Sequence, residues 1–280
     1  MKVLILGAKG LLGQDLVKVF NNHEVFAWDK EELNILDKIA VKEKITELHP
    51  AVVINSAAYT AVDASESNKD LAVDVNANGA RNVAFAAKEI GAKVVYYSSD
   101  YVFSGENKNG YNEASAIAPI NAYGESKAMG EKFVMEANSQ FYIVRTSWMF
   151  GKNGSNFVYA MLKLSNEFPK LTVVDDQFGN PTYSADLAER TKYILENNLP
   201  FGIYHATNDT KDLGISWYDF AKRIFEIKKI NIDLQPIPTD QFPRPAKRPS
   251  YSVLLNTKLP KMRSWDEALL EFLSSNEFKF

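Results

Sequence analysis

The sequence predicts an α/β protein, a doubly wound parallel sheet with helices on both faces and a smaller C-terminal lobe. Three observations predict it. Runs that are apolar at nearly every position alternate with helically spaced segments through the first 150 residues, the pattern of parallel strands covered on both sides. The first run passes into a helix through three spaced glycines, Gly7, Gly10 and Gly13. At 280 residues the chain can bury a core of this kind and a lobe packed on it.

Residues 3–6 are a β-rich apolar run and read as the first strand. Leu12, Leu16, Val19 and Phe20 give helical spacing to 11–20. A second strand is expected over 24–28, then a helix over 38–48 stopped by Pro50. The third strand is 51–54. One long helix is expected over 71–90, closed by Gly91. The fourth strand is 93–98, followed by a helix over 122–137 and a fifth strand over 142–146. Later signals are mixed: strands at 171–174 and 202–206, helices at 185–195, 217–227 and 265–273. Pro236, Pro238, Pro243, Pro245 and Pro249 mark the stretch before the last helix as a loop. The expected division is a dinucleotide-binding Rossmann core over 1–150 and a substrate-binding lobe over 151–280, with some segments returning to the core.

Composition narrows the function. Hydrophobic residues make up 46% and charged residues 24%, as in a globular protein. A net charge of −3 argues against a general nucleic-acid binder. With no cysteine there is no disulfide, no thiolate nucleophile and no cysteine zinc site, which suits a reducing compartment. The opening M-K-V-L-I-L-G is too short for a signal segment or a membrane span, and no later stretch is long and apolar enough to cross a bilayer. The expectation is a cytoplasmic protein with no membrane or nucleic-acid partner. His23, His49 and His205 are scattered and form no metal or triad pattern.

The glycine turn sets the first site. Gly7 permits the turn, Gly10 lets the backbone approach a pyrophosphate, and Gly13 lets the helix lie on the strand. Helix-start amides and the helix dipole favour an anion there. Asp29, closing the second strand, is placed to bind ribose hydroxyls. Lys30 beside it suits a 2′-phosphate, so NADH and NADPH both stay open. In N-S-A-A-Y-T the small Ala57 and Ala58 would let the cofactor's sugars lie over the backbone.

Tyr123 and Lys127 stand at i, i+4 on one helix face. A phenol with an ordinary pKa near ~10 is a poor proton donor or acceptor at neutral pH, and a nearby cation lowers that value. Ser99 lies at the carboxyl edge of the sheet, where doubly wound folds place their sites. Its hydroxyl can hydrogen-bond a substrate carbonyl together with Tyr123. Among the prolines, Arg244, Lys247 and Arg248 offer cations for a diphosphate.

Narrower stretches follow: S-S-D-Y-V-F-S-G at 98–105, P-I-N-A-Y-G-E-S-K-A-M-G-E at 119–131, R-T-S-W-M-F-G at 145–151, D-Q-F-G-N-P-T at 176–182 and R-P-S-Y-S-V-L at 248–254. On them the chain resembles the extended short-chain dehydrogenase/reductases, and within these the dTDP-4-dehydrorhamnose reductases. The resemblance spans most of the chain in family order.

It implies that Ser99, Tyr123 and Lys127 form the catalytic triad, with Ser99 where the family usually has threonine, and that Tyr123 and Lys127 also bind the cofactor, Lys127 at the nicotinamide ribose. Gly10, Leu11 and Leu12 match the pyrophosphate turn and Asp29 the adenosine ribose contact. Asn34 and Ile35 match the adenine side. Ala57, Ala58, Tyr59 and Tyr97 match the rest of the cofactor wall. Ser99, Asp100 and Trp148 match positions that touch the nucleotide sugar, and Arg248 lies in a family-like stretch. Some members dimerise through Mg²⁺ held by acidic residues; the nearest positions here are Asp15 and Asp186, with no third ligand, and no metal is assigned.

The implied activity is reduction of the C4 keto group of a dTDP-4-keto-6-deoxy sugar by NADPH or NADH, giving dTDP-L-rhamnose for surface polysaccharide, in a monomer or homodimer. Two alternatives stay open. One is a nucleotide-sugar epimerase or dehydratase of the same fold. The other is a non-catalytic subunit resembling the regulatory subunit of methionine adenosyltransferase.

Overall fold

The computed structural model describes residues 1–211 and 213–275. Its first half alternates strand and helix: β1 (Lys2–Leu6), α1 (Leu11–Val19), β2 (Glu24–Trp28), α2 (Lys38–Leu48), β3 (Val52–Asn55), α3 (Val62–Ser67), α4 (Lys69–Val73), a π-helical turn (Asp74–Gly79), α5 (Ala80–Glu89), β4 (Lys93–Ser99), α6 (Ala122–Ala137) and β5 (Phe141–Thr146). The second half adds β6 (Met149–Phe150), α7 (Phe157–Glu167), β7 (Lys170–Val174), β8 (Phe178–Gly179), β9 (Thr182–Tyr183), α8 (Ser184–Glu196), β10 (Gly202–His205), β11 (Ile215–Ser216), α9 (Trp217–Lys228), β12 (Asp233–Ile237) and α10 (Trp265–Ser275).

Six strands form one parallel sheet in the order β10-β5-β4-β3-β1-β2. The apolar runs predicted as strands are those that fill both of its faces. Val3, Ile5, Val95, Tyr97 and Val144 pack with α1 and α8; Leu4, Leu6, Val53, Val94, Tyr96 and Ile143 pack under α2, α5 and α6. The chain reverses direction across the sheet between β1 and β3, which opens a crevice at their carboxyl ends. The element that completes the sheet, β10, comes from the second half and pairs with β5.

Three expectations are corrected. The single helix expected over 71–90 is three pieces, because the π turn inserts a wider loop of backbone around Asn76. The proline-rich stretch is not all loop: β12 pairs in parallel with β7, and Pro236 stands opposite Val173. A proline lacks the ladder donor but is tolerated in a two-stranded ribbon, where one side of each strand is unpaired. Helix α3 and the two-residue strands β6, β8, β9 and β11 fall in segments read as neither helix nor strand.

Around α7, α9 and α10 lies a third core of Phe150, Leu162, Tyr183, Phe220, Phe225, Leu269 and Phe272. It is richer in aromatic rings than the sheet core, and its rings meet edge-on or stacked, as with Phe220 against Phe150 and Phe157. Among the described residues no helix is long and apolar enough to cross a membrane.

Candidate active site

The site is built at the carboxyl edge of the sheet. Gly7 ends β1 with φ +73°, a conformation only glycine enters freely. A Cβ on Gly7 would stand 2.7 Å from the amide nitrogen of Ala57, and one on Gly13 would stand 2.1 Å from the carbonyl oxygen of Gly7. Strand, turn and helix are therefore pressed together. Gly10 caps α1 with extended backbone and no side-chain hydrogen bond, leaving the first-turn amides for an anion. Leu11 and Leu12 open that helix; Leu12 is buried in the core, so only its backbone is offered to a ligand.

Asp29 follows β2, and its carboxylate is held in place. Oδ2 accepts the Lys9 amide at 2.9 Å and Oδ1 accepts the Lys30 amide at 2.8 Å. Glu32 Oε2 accepts the Asp29 amide, and Lys9 Nζ pairs with Glu31. Asn34 closes its own turn, accepting the Leu36 amide, while Ile35 is buried against Gly79. On β3, Asn55 Oδ1 accepts the Ala57 amide, but its Nδ2 is buried without a partner. A glycine cradle at the switch point, free helix-start amides, an anchored acid at the second strand and an orphaned amide at the third suit a nicotinamide dinucleotide laid across the edge.

The wall beside it, Ala57, Ala58 and Tyr59, is fixed by a residue absent from the sequence reading. Asn76, in the π turn, accepts the Tyr59 amide at 2.8 Å, donates to the Tyr59 carbonyl at 3.0 Å and donates to Ser126 Oγ at 2.9 Å. Ser126 in turn donates to the Tyr123 carbonyl. One asparagine thus ties the cofactor wall to the tyrosine helix. The available signal was an asparagine inside a helical run, where its side chain competes with the backbone. Tyr97 contributes differently from expectation. Its ring lies in the core against α8 and its hydroxyl bonds Thr191 Oγ1 at 2.7 Å, so its contribution to a cofactor wall narrows to backbone.

Ser99 and Tyr123 meet at this edge, with Lys127 one turn further along the tyrosine helix. Asn121 caps α6 by accepting the Gly124 amide, and Gly124 and Gly130 let the helix approach Tyr101 and Tyr96 more closely than any side chain allows. Ser99 Oγ donates to Asp100 Oδ1 at 2.8 Å and accepts the Tyr101 amide at 3.2 Å. Asp100 is buried, and its Oδ2 has no hydrogen-bond partner. Burial pushes its carboxyl up to about 6, with the Ser252 and Ser99 hydroxyls pulling the other way.

Electrostatics correct the expected effect of the lysine. Burial, then the Asp100 charge, push the Tyr123 phenol up to about 12, and only the Ser99 hydroxyl acts to lower it. Lys127 is itself buried, which pushes its ammonium down to about 7 against the raising influence of Glu131. Desolvation dominates here because the cation has left water for the face of Tyr96, 4.3 Å from the ring centre. Glu131, one turn further along α6, is held by a fully buried bidentate pair with Arg145 at 2.8 and 2.7 Å.

On the far lip Trp148 adopts φ +45° and stacks on Trp217 with ring centres 3.5 Å apart; a Cβ on Gly179 would strike its ring. Arg248 pairs with Asp63 on α3, and Tyr101 stands edge-on to Tyr123 at 5.8 Å. The acidic positions considered for a metal are otherwise engaged. Asp15 bonds Ser184 and Lys18, and Asp186 takes both arms of Arg263 and the amide of Asn208. Among the described residues no group of three acids or histidines is placed to hold a metal.

Such a cradle beside a tyrosine–lysine helix defines a nicotinamide-dinucleotide oxidoreductase of the Rossmann type. Comparison with known proteins narrows the class. The RmlD substrate binding domain family matches residues 1–278, and the chain belongs to that family. It is 39% identical to dTDP-4-dehydrorhamnose reductase of Streptomyces griseus over 96% of this chain and 91% of that protein. A crystal structure of dTDP-4-dehydrorhamnose reductase from Bacillus anthracis in complex with NADP superposes with TM-score 0.94 at 41% identity, covering 98% of this chain and 99% of that one. The enzyme of the same name from Clostridium acetobutylicum superposes with TM-score 0.95 at 42% identity, over 98% and 99%.

Proposed function

We propose that this chain is an NAD(P)H-dependent reductase of the C4 keto group of dTDP-4-dehydro-L-rhamnose, giving dTDP-L-rhamnose for surface polysaccharide synthesis. The observation that carries the reading is the meeting of Ser99 and Tyr123, with buried Lys127 one turn further along the helix, at the sheet edge that holds the glycine cradle. Reduced nicotinamide, when bound, supplies the hydride. The protein's own residues manage the oxygen and the proton.

Ser99 turns its proton from Asp100 Oδ1 to the carbonyl oxygen and steadies the charge growing there. Tyr123 donates its phenolic proton to that oxygen. A phenol raised to about 12 stays protonated at neutral pH, yet remains a stronger acid than an alcohol, so the transfer runs downhill. Lys127 stabilises the phenolate left behind, and Glu131 supports its charge. Asp100 disfavours early loss of the phenolic proton.

The glycine turn, Asp29, Asn34, Ile35 and the wall from Ala57 to Tyr59 hold the cofactor. Asp100, Trp148 and Arg248 line the sugar-nucleotide side. Residues 1–150 form the cofactor core, and the described residues beyond 150 form the substrate lobe, with α8 and β10 returning to the core. A cysteine-free composition fits a cytoplasmic enzyme. The test offers dTDP-4-dehydrorhamnose with NADH and with NADPH and follows absorbance. Cofactor is consumed mole for mole with sugar reduced. Interconversion of sugars without consumption of added cofactor would instead identify an epimerase.

A further inference from the structure

The proline-rich segment 243–249 bears three cations, Arg244, Lys247 and Arg248, and one carboxylate, Asp63, contacts the segment at three of its residues. Asp63 lies in the first turn of α3, just beyond the cofactor wall. Its Oδ1 accepts Arg248 Nη1 and also the Ala246 amide at 3.2 Å; its Oδ2 faces Arg244 Nη1 at 3.9 Å. Arg248 Nη1 also donates to the Ala246 carbonyl at 2.6 Å. The loop is pinned at two further points. Asn121, the cap of the tyrosine helix, donates to the Lys247 carbonyl at 2.8 Å, and Pro249 fills the space above Gly105. Glu66, one turn on from Asp63, accepts the Ala122 amide at the start of α6.

Helix α3 therefore holds both the cationic loop and the start of the catalytic helix. The Asp63 and Ala246 contacts of Arg248 both use Nη1. The guanidinium also reaches the Tyr101 phenol, which stands edge-on to Tyr123. An unrestrained arginine gives up rotamer entropy when it binds an anion. A carboxylate that fixes it beforehand removes that penalty from the binding step. One carboxylate among three cations also leaves the loop net positive, as a diphosphate diester requires.

We propose that Asp63 is a positioning residue for the substrate: it pre-orders Arg248, with Arg244, to receive the diphosphate of the sugar nucleotide beside Tyr123. The proposal rests on the reading of Arg248 as a diphosphate ligand. The hydrogen bonds and ion pairs of the Asp63 carboxylate reach Arg244, Ala246 and Arg248 rather than Tyr123 or the glycine cradle, so its effect falls on substrate affinity.

The experiment compares Asp63→Asn, Asp63→Glu, Arg248→Ala and the Asp63→Asn/Arg248→Ala double variant. It measures KM and kcat with dTDP-4-dehydrorhamnose, and Kd for NADPH by fluorescence. Asp63→Asn raises KM about tenfold, with kcat and cofactor Kd within about twofold of wild type. Asp63→Glu recovers part of the loss, and the double variant is no worse than Arg248→Ala. A KM raised by Arg248→Ala but unchanged or lowered by Asp63→Asn overturns the positioning role alone. Unchanged KM in both overturns the assignment of Arg248 itself. Equal losses in KM and cofactor Kd would reduce Asp63 to a structural contact.

Discussion

At the proposed cofactor lip the closest packing is made by backbone, with Asp29 and Asn55 adding side chains. A Cβ on Gly7 or Gly13 would enter space held by Ala57 or by Gly7 itself, and the donors on offer are the amides that open α1. Across the crevice the proposed substrate lip is made of side chains. Trp148 lies on Trp217, Arg248 is clamped by Asp63, and Asp100 is buried beside Ser99. Backbone geometry holds a ligand common to many enzymes but leaves little to vary. A side-chain lip can be re-cut by substitution without disturbing the sheet. The proposed chemistry sits between the two, on α6, which Asn76 and Asn121 tie to both lips.

The hardest test of that division is removal of the proton itself. Tyr123→Phe keeps the ring edge-on to Tyr101 and deletes only the hydroxyl. We expect kcat to fall by about 10²–10⁴-fold, the usual worth of a positioned general acid. Cofactor Kd, set by the backbone lip, stays within about twofold. Retained turnover would assign the proton to another group; a matching loss of cofactor affinity would show that the lips are not separable.

The second effect separates cradle from fold. A Cβ on Gly10 meets only the Gly7 carbonyl, at 3.2 Å, and Gly10 has an ordinary negative φ, whereas Gly13 has no room at all. Gly10→Ala should weaken NADPH about 100-fold by intruding on the pyrophosphate, with Tm nearly unchanged. Gly13→Ala should lower Tm by several degrees, as overpacking costs about 1–3 kcal/mol. Thermal melts and cofactor titrations of the pair check both halves. The contrast fails if Gly10→Ala melts as early as Gly13→Ala.

What could be read in advance follows the same line. The sheet strands and the helices on its faces were legible because each is a local apolar run or a 3.6-residue period. The cradle was legible because its glycines stand within seven residues. The π turn was not, since Asn76 widens the helix to reach Tyr59 and Ser126, contacts set by tertiary structure. Asp63 was invisible for a plainer reason: its partner Arg248 lies 185 residues away. Two-residue strands such as β8 and β11 carry too little sequence to show a period at all.

The smallest effect concerns stability, and it asks whether the catalytic helix itself bears strain. Lys127 is buried on Tyr96, and its ammonium is pushed from the ordinary lysine range down to about 7. The unfolded chain therefore holds this proton more tightly than the folded one. Below about pH 7 both states carry the proton and the burial penalty is felt in full. Between there and about 10.5 the folded protein sheds the proton first, so the penalty fades as pH rises. Lys127→Met keeps most of the length and the apolar character of the stem and removes the charge. It should abolish most turnover, yet raise the Tm of the cofactor-free protein at pH 6, at roughly 2 °C per kcal/mol recovered. The gain should shrink steadily by pH 9. Scanning fluorimetry across that range measures it directly. A Tm gap that is absent, or that widens with pH, would mean that the Tyr96 face and Glu131 already compensate the buried charge.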